Sequence, residues 1–255
     1  MGIFHFHQGR GPLLVSMPHV GLEIPDELKN DMTDDALSLV DTDWYIDQLY
    51  NFLAEMDVSV ITAKYSRYVV DLNRSTDGQS LYPGQKVTGL CPFETFDEKP
   101  IYKKGKFPNI NQRVETYWQP YHNKIRSELD RIKEKHGRAM LWDAHSIKSR
   151  VPMLFDGQLP DLNLGTGNGI SADHQLVDKL DRIISQSSFS STLNGRFKGG
   201  YITRHYGDPK NNIHAVQLEI SQVTYMDEEP VARFNEKKAN KLRPVLVKLI
   251  ETMIE

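Results

Sequence analysis

Two histidines and a glutamate stand where apolar runs of the sequence give out. His19 comes after Leu13-Leu14-Val15-Ser16-Met17-Pro18, His145 after Ala139-Met140-Leu141-Trp142-Asp143-Ala144, and Glu219 near the end of Ile213 to Ile220. Arg74 follows a fourth run, Tyr68 to Leu72. In open α/β sheets, ligands and chemistry gather at the carboxyl ends of the strands. If these strands are mostly parallel, all four side chains reach one edge of one sheet. Two imidazoles, one carboxylate and an open fourth position make the ligand set of a hydrolytic zinc site. Zinc lowers the pKa of bound water and polarises a carbonyl oxygen. A separate carboxylate must then take the water's proton and pass it to the leaving amine. Glu219 suits that role: it lies on a different strand from both histidines, and a buried carboxylate is costly unless paired or used.

The densest cationic stretch is Asn194 to Gly207, with Arg196, Lys198, Arg204 and His205 set among glycines. Arginine offers a planar fork of donors that matches a carboxylate. The formal net charge of the chain is −3, from 31 basic and 34 acidic residues. Such a balance provides no basic field for tracking a phosphate backbone, so nucleic acid is excluded as the expected partner. The cationic stretch therefore reads as a local pocket for a small anion, with a solvated basic loop as the competing account. Arg74, Arg196 and Arg204 could hold an acidic substrate and share the charge of an oxyanion. The chemistry expected is metal-dependent hydrolysis of an amide in a small acidic molecule.

The elements that must position these residues follow from periodicity. The 255 residues fit one α/β domain, 1–255, on a prior of roughly 150 residues per domain that does not force two. Leu13–Met17, Val58–Ala63, Tyr68–Leu72, Ala139–Trp142 and Ile213–Ile220 read as strands. In the last of these, Val216, Leu218 and Ile220 share one face, and Ala215, Gln217 and Glu219 the other. Helical spacing is expected within Asp34–Met56, where Asp41 or Thr42 can cap the start, and over Asn111–His136, kinked at Pro120 and ended by Gly137. Further helices are expected after Ser171 and over Glu228–Ile254, the latter bent at Pro244. Ser75–Pro108 and Ser146–Gly169 read as long loops. Gly165-x-Gly167-x-Gly169 lacks the preceding strand and the spacing of a nucleotide-binding turn.

Other residues read as structural. His5-Phe6-His7 is taken as edge-strand decoration, and His122 and His136 as ordinary helix positions. Cys91, the only cysteine, excludes an internal disulfide and a cysteine-based zinc finger. The first residues hold only Leu13-Leu14-Val15 as an apolar run, too short for a signal peptide or a membrane span. A cytoplasmic protein without membrane partners is expected, its oligomeric state left open.

Val15-Ser16-Met17-Pro18-His19-Val20-Gly21, Asp41-Thr42-Asp43-Trp44, Ser66 to Arg74, Asp143-Ala144-His145-Ser146, Asn194 to Gly200 with Thr203 to Gly207, and His214 to Glu219 resemble, in the same order, the motifs of the N-formylglutamate amidohydrolase family. The resemblance covers nearly the whole chain. It implies a zinc-exopeptidase-like, three-layer α/β/α fold with a mixed, mostly parallel central sheet. The activity implied is hydrolysis of N-formyl-L-glutamate to formate and L-glutamate in histidine breakdown. On this resemblance His19 and His145 match the two histidine ligands of one zinc ion, Glu219 the general base, and Asn73-Arg74 a carboxylate-binding pair. The wider group of zinc carboxypeptidases has His-x-x-Glu, whereas here Glu23 comes one position late. The carboxylate ligand is therefore Asp43 first, Glu23 second and Asp41 third, while Asp143 could orient His145. Two other readings remain. One is a carboxypeptidase or acylase for another N-acyl acidic amino acid. The other is a non-catalytic dicarboxylate-binding module built on the arginines.

Overall fold

A seven-stranded sheet, in the order β1-β3-β2-β4-β7-β5-β6, organises the chain in the computed structural model, which describes residues 2–80, 84 and 86–255. The strands are β1 (Phe4–His7), β2 (Leu13–Met17), β3 (Ser59–Ala63), β4 (Ala139–Ile147), β5 (Leu162–Gly165), β6 (Ser191–Leu193) and β7 (Ile213–Ser221). Neighbours run parallel except β1 with β3 and β5 with β7, so the sheet is mixed and mostly parallel, as expected.

Strand periodicity then builds three layers. Leu13, Val15, Met140, Trp142, Val216 and Leu218 face a core completed by helices α2 (His174–Ser185) and α4 (Glu236–Ile254). Leu14, Leu141 and Ala215 face the opposite side, covered by α1 (Gln119–His136) through Tyr121, Ile125, Leu129 and Ile132. Burying each of these aliphatic side chains contributes about 1.5–3 kcal/mol. On the α1 side the apolar series is interrupted further along the strands. Asp143 and His145 continue the face of Leu141, and Gln217 and Glu219 continue the face of Ala215. The other face stays apolar at Ala144, Leu218 and Ile220. The sheet thus keeps its core on one side while presenting polar side chains on the other, at the carboxyl end of its parallel strands.

Several elements differ from their expected form. β4 does not stop at Trp142 but runs to Ile147, so Asp143 and His145 lie on the strand itself. Tyr68–Leu72 is not a strand. Its backbone turns at Ser66–Val69, Asp71 N–H donates to Leu90 O, and the Tyr68 and Val69 carbonyls are taken by the buried guanidinium of Arg113. The helix expected within Asp34–Met56 is broken into Asp34–Leu37, Ile46–Leu49 and a 3-10 turn at Asn51–Glu55. Leu39 and Tyr45 take positive φ there, and Asp41 accepts from Phe96 N–H rather than capping a helix.

The segment before α1 winds as Ile110–Arg113 and then a π turn, Val114–Trp118, in which Gln119 N–H donates to Val114 O. Pro120 sits in the first turn of α1, where its missing N–H costs least, and Gly137 ends the helix at φ 72°. Ser146–Gly169 is not all loop, since β5 lies within it and leads into Gly165-x-Gly167. α2 is capped by Asp173, while Ser171 donates to Ala215 O. α4 starts at Glu236, after a short strand pair formed by Met226–Asp227 and Arg233–Phe234. Ser75–Pro108 is irregular over its described residues; 81–83 and 85 lie outside them. Among the described residues no helix is long and apolar enough to cross a membrane.

Candidate metal centre

His19 leaves the end of β2, His145 stands on β4, and Asp43 follows the turn at Leu39. These three buried residues each offer a ligand atom within 4.8 Å of the others. Asp43 is fixed by backbone as well as side-chain bonds. Its N–H donates to His19 O at 3.1 Å, and its Oδ2 accepts from Ser146 N–H at 3.1 Å. His145 Nδ1 lies 2.9 Å from Asp43 Oδ2, and His19 Nδ1 lies 3.8 Å from Asp43 Oδ1. Of the carboxylates weighed for this place, Asp43 occupies it. Glu23 is exposed and paired with Lys64, and Asp41 is turned to Phe96.

Each imidazole is held from behind by a second acid. His19 Nε2 donates to Asp71 Oδ1 at 2.7 Å, while Arg67 grips Asp71 Oδ2 at 2.7 Å. Burial and the neighbouring Arg67 charge hold His19 below the usual imidazole range. Burial opposes ionisation of Asp71, but His19 and Arg67 outweigh it and hold the carboxyl well below its ordinary range. His19 Nε2 faces Asp71, which leaves Nδ1 as the ring nitrogen toward Asp43. His145 Nε2 lies 3.2 Å from Asp143 Oδ2 and 2.8 Å from Asn73 Nδ2. Burial pulls His145 down, yet Asp143 and Asp43 outweigh it and raise the ring well above its ordinary value. With two imidazoles and a carboxylate converging, the donor set fits zinc.

Glu219 lies beside this trio. It is the register partner of His145 across the parallel β4–β7 ladder and is buried. Burial lifts its carboxyl to about 8, with Asp43 and Asp143 adding to the rise and His145 and Arg67 opposing it. Gln217, two residues back on the same face, donates to Glu219 Oε2 at 3.1 Å and accepts from Gly200 N–H at 2.7 Å.

The cleft outside the trio encloses about 550 Å³ of space continuous with solvent. Besides His19, Asp43, His145 and Glu219 it is lined by Arg67, Asn73, Arg74 and Arg196. Three bonds of the Arg74 guanidinium run to Thr88 O, Thr88 Oγ1 and Asn73 O, which leaves donors to spare in the fork. Arg196 donates to Leu154 O at 2.6 Å and to Lys86 O at 3.3 Å, and so joins the two long loops at the mouth. The Asn73 amide is engaged on both sides: Nδ2 with Asp143 and His145, Oδ1 with Ile202 N–H at 2.8 Å. Arg204 and His205 belong to helix α3 (Tyr201–Tyr206) and are not among the lining residues. Arg204 donates to Gly199 O, and His205 stacks on Tyr201. What the cationic stretch brings to the site is largely backbone, through the N–H groups of Gly200 and Ile202. A Cβ on Gly200 would fall 2.3 Å from Asn73 Nδ2, so only glycine allows this approach.

Sequence reasoning gave no role to Arg67, Asp71 or Gln217. Arg67 and Asp71 meet His19 through irregular backbone that no periodicity marks, and strand period put Gln217 on the face of Glu219 without showing its bond to Gly200.

The fold is of the three-layer α/β class, and the donor set makes its cleft a candidate metal centre. The chain belongs to the N-formylglutamate amidohydrolase family, whose model matches residues 11–226. An N-formylglutamate deformylase from Pseudomonas putida is 49% identical, over 99% of this chain and 96% of its own. One from Pseudomonas aeruginosa is 46% identical over the same shares. Among solved structures, an N-formylglutamate amidohydrolase from Ralstonia eutropha superposes with a TM-score of 0.84 at 20% identity, covering 99% of both chains. A protein from Agrobacterium tumefaciens does so with a TM-score of 0.74 at 17% identity, covering 99% of this chain and 96% of its own. These two likenesses bear on the fold.

Proposed function

We propose that the chain, acting as one catalytic domain over 1–255, hydrolyses N-formyl-L-glutamate to formate and L-glutamate, with zinc held by His19, Asp43 and His145. The single observation that supports this most is the buried trio with Glu219 beside it, in a chain nearly half identical to deformylases along its whole length. Zinc in that place supplies a Lewis acid for water and the formyl oxygen, and a positive charge that favours the ionised form of Glu219.

The chain's own residues do the rest. Glu219 takes a proton from the attacking water and hands it to the amide nitrogen of glutamate. Gln217 holds Oε2, which leaves Oε1 for the proton. Arg74 and Arg196 bind the two carboxylates of the substrate, since both line the cleft and each can present a fork to a carboxylate. Asn73 is assigned to positioning rather than to substrate, because its amide is engaged with Asp143, His145 and Ile202. Neither Arg204 nor His205 receives a substrate role. The same reading carries the cytoplasmic, histidine-degrading setting implied by the family.

The test is direct: zinc-loaded protein given N-formyl-L-glutamate should release formate and glutamate in equal amounts. Zinc-loaded protein that leaves it untouched would overturn the reading.

A further inference from the structure

Residues 69–74 carry three groups the site depends on: Asp71 behind His19, Asn73 behind His145, and Arg74 in the cleft. The segment has no strand pairing to fix it. Three of its carbonyls are instead taken by side chains of one helical run. Arg113 Nη1 donates to Val69 O at 2.9 Å, Trp118 Nε1 to Arg74 O at 2.9 Å, and His122 to Leu72 O at 2.9 Å. A carbonyl can only accept, so His122 carries its proton on Nε2. Its ring stacks on Trp118 with centroids 3.8 Å apart, and Tyr206 OH lies 2.9 Å from Nδ1.

The spacing of these donors matters. Trp118 and His122 are four apart and share a face of an α-helix. Arg113 and Trp118 are five apart, and an α-helix would turn them about 140° from each other at about 100° per residue. The π turn at Val114–Trp118 lies between them and widens the winding by one residue per turn. It brings all three donors onto the 69–74 segment.

We propose that this π turn, with Trp118 and His122, forms a clamp that positions the Leu72–Arg74 backbone for the reaction. Trp118 acts on Arg74 and hence on substrate binding. His122 acts through Leu72 on Asn73 and hence on the His145 side of the metal centre. The assignment of these two effects rests on the deformylase reading above.

Three variants separate the clamp from a merely structural role. Trp118→Phe keeps the ring stack and removes the N–H. It should raise KM for N-formyl-L-glutamate about tenfold, the worth of roughly one hydrogen bond, with kcat within about twofold and zinc affinity unchanged. His122→Leu should weaken zinc binding about tenfold, measured by competition with a chelating dye, and His122→Gln, which keeps a donor, should restore most of it. A wild-type KM in Trp118→Phe overturns the clamp, as does a folded His122→Leu with wild-type zinc affinity. So do variants that lose both properties in step with a lowered Tm. If His122→Leu does not fold, the KM of Trp118→Phe decides. A zinc-loaded wild type that releases no formate overturns the deformylase reading instead, and the zinc-affinity arm then decides the clamp.

Discussion

His145 and Glu219 are register partners across the parallel β4–β7 ladder, both buried and both on the sheet face that carries α1. Parallel pairing keeps the two side chains beside each other at the carboxyl end of the sheet, one in the candidate metal trio and the other next to it. Glu219→Gln preserves shape and can still accept from Gln217, yet cannot take a proton. It should retain zinc and lose turnover by about 100-fold or more, read as kcat for formate release beside metal content. A rate within a few-fold of wild type would remove Glu219 from proton transfer.

Asp71 is the residue through which Arg67 holds the His19 ring. Replacing it by Asn keeps the volume but removes the charge that balances the buried guanidinium and supports the imidazole. Zinc affinity of Asp71→Asn should fall by about 10–100-fold, the usual consequence of losing a partner behind a metal ligand. Chelator competition giving an unchanged dissociation constant would show that His19 does not need this carboxylate.

At Gly200 the backbone passes so close to the Asn73 amide that any side chain must push it aside. Gly200→Ala should cost about 1–3 kcal/mol of stability through overpacking. It should also lower formate release more than that loss of folded protein explains, because Asn73 moves away from Asp143 and His145. Measuring Tm and kcat on the same preparation checks this; an alanine variant with normal Tm and kcat contradicts it.

His122 gives the fold a dependence on acid. Burial, against the bond to Leu72, lowers its pKa from 6.5 to about 3. Above pH 6.5 the ring is neutral whether folded or not. Below that value the unfolded chain binds a proton that the folded chain refuses, so stability falls as pH falls toward about 3. The loss is on the order of a few kcal/mol at the acid end. In urea unfolding, the stability advantage of wild type over His122→Gln should therefore shrink between pH 7 and about pH 4.5. Parallel curves would mean that His122 does not titrate in this way.

The parts legible in the sequence are those governed by strand period. Apolar runs that stop at His19, His145 and Glu219 foretold the sheet and the meeting of these three residues at one end of it. The alternation in Ile213–Ile220 placed Glu219 opposite the core face correctly. Tyr68–Leu72 misleads because its apolar side chains are buried as a strand's would be, while its first two carbonyls are satisfied by Arg113, 45 and 44 residues away. Asp34–Met56 misleads for a related reason: Thr42 donates to Leu39 O, while Asp41 and Asp43 accept from Phe96 and Ser146 rather than from a helix start. The cationic stretch looked like a set of charges for an anion. Arg196 lines the cleft but Arg204 and His205 lie off it, and the backbone there brings the Gly200 N–H to Gln217 and the Ile202 N–H to Asn73.

Metal content measured beside formate release tests the zinc centre most directly. Purified protein should hold about one zinc per chain. Removing it with a chelator should abolish formate release from N-formyl-L-glutamate, and adding zinc back should restore it. Full release from metal-free protein, or no stoichiometric metal in an active preparation, would contradict a centre built on His19, Asp43 and His145.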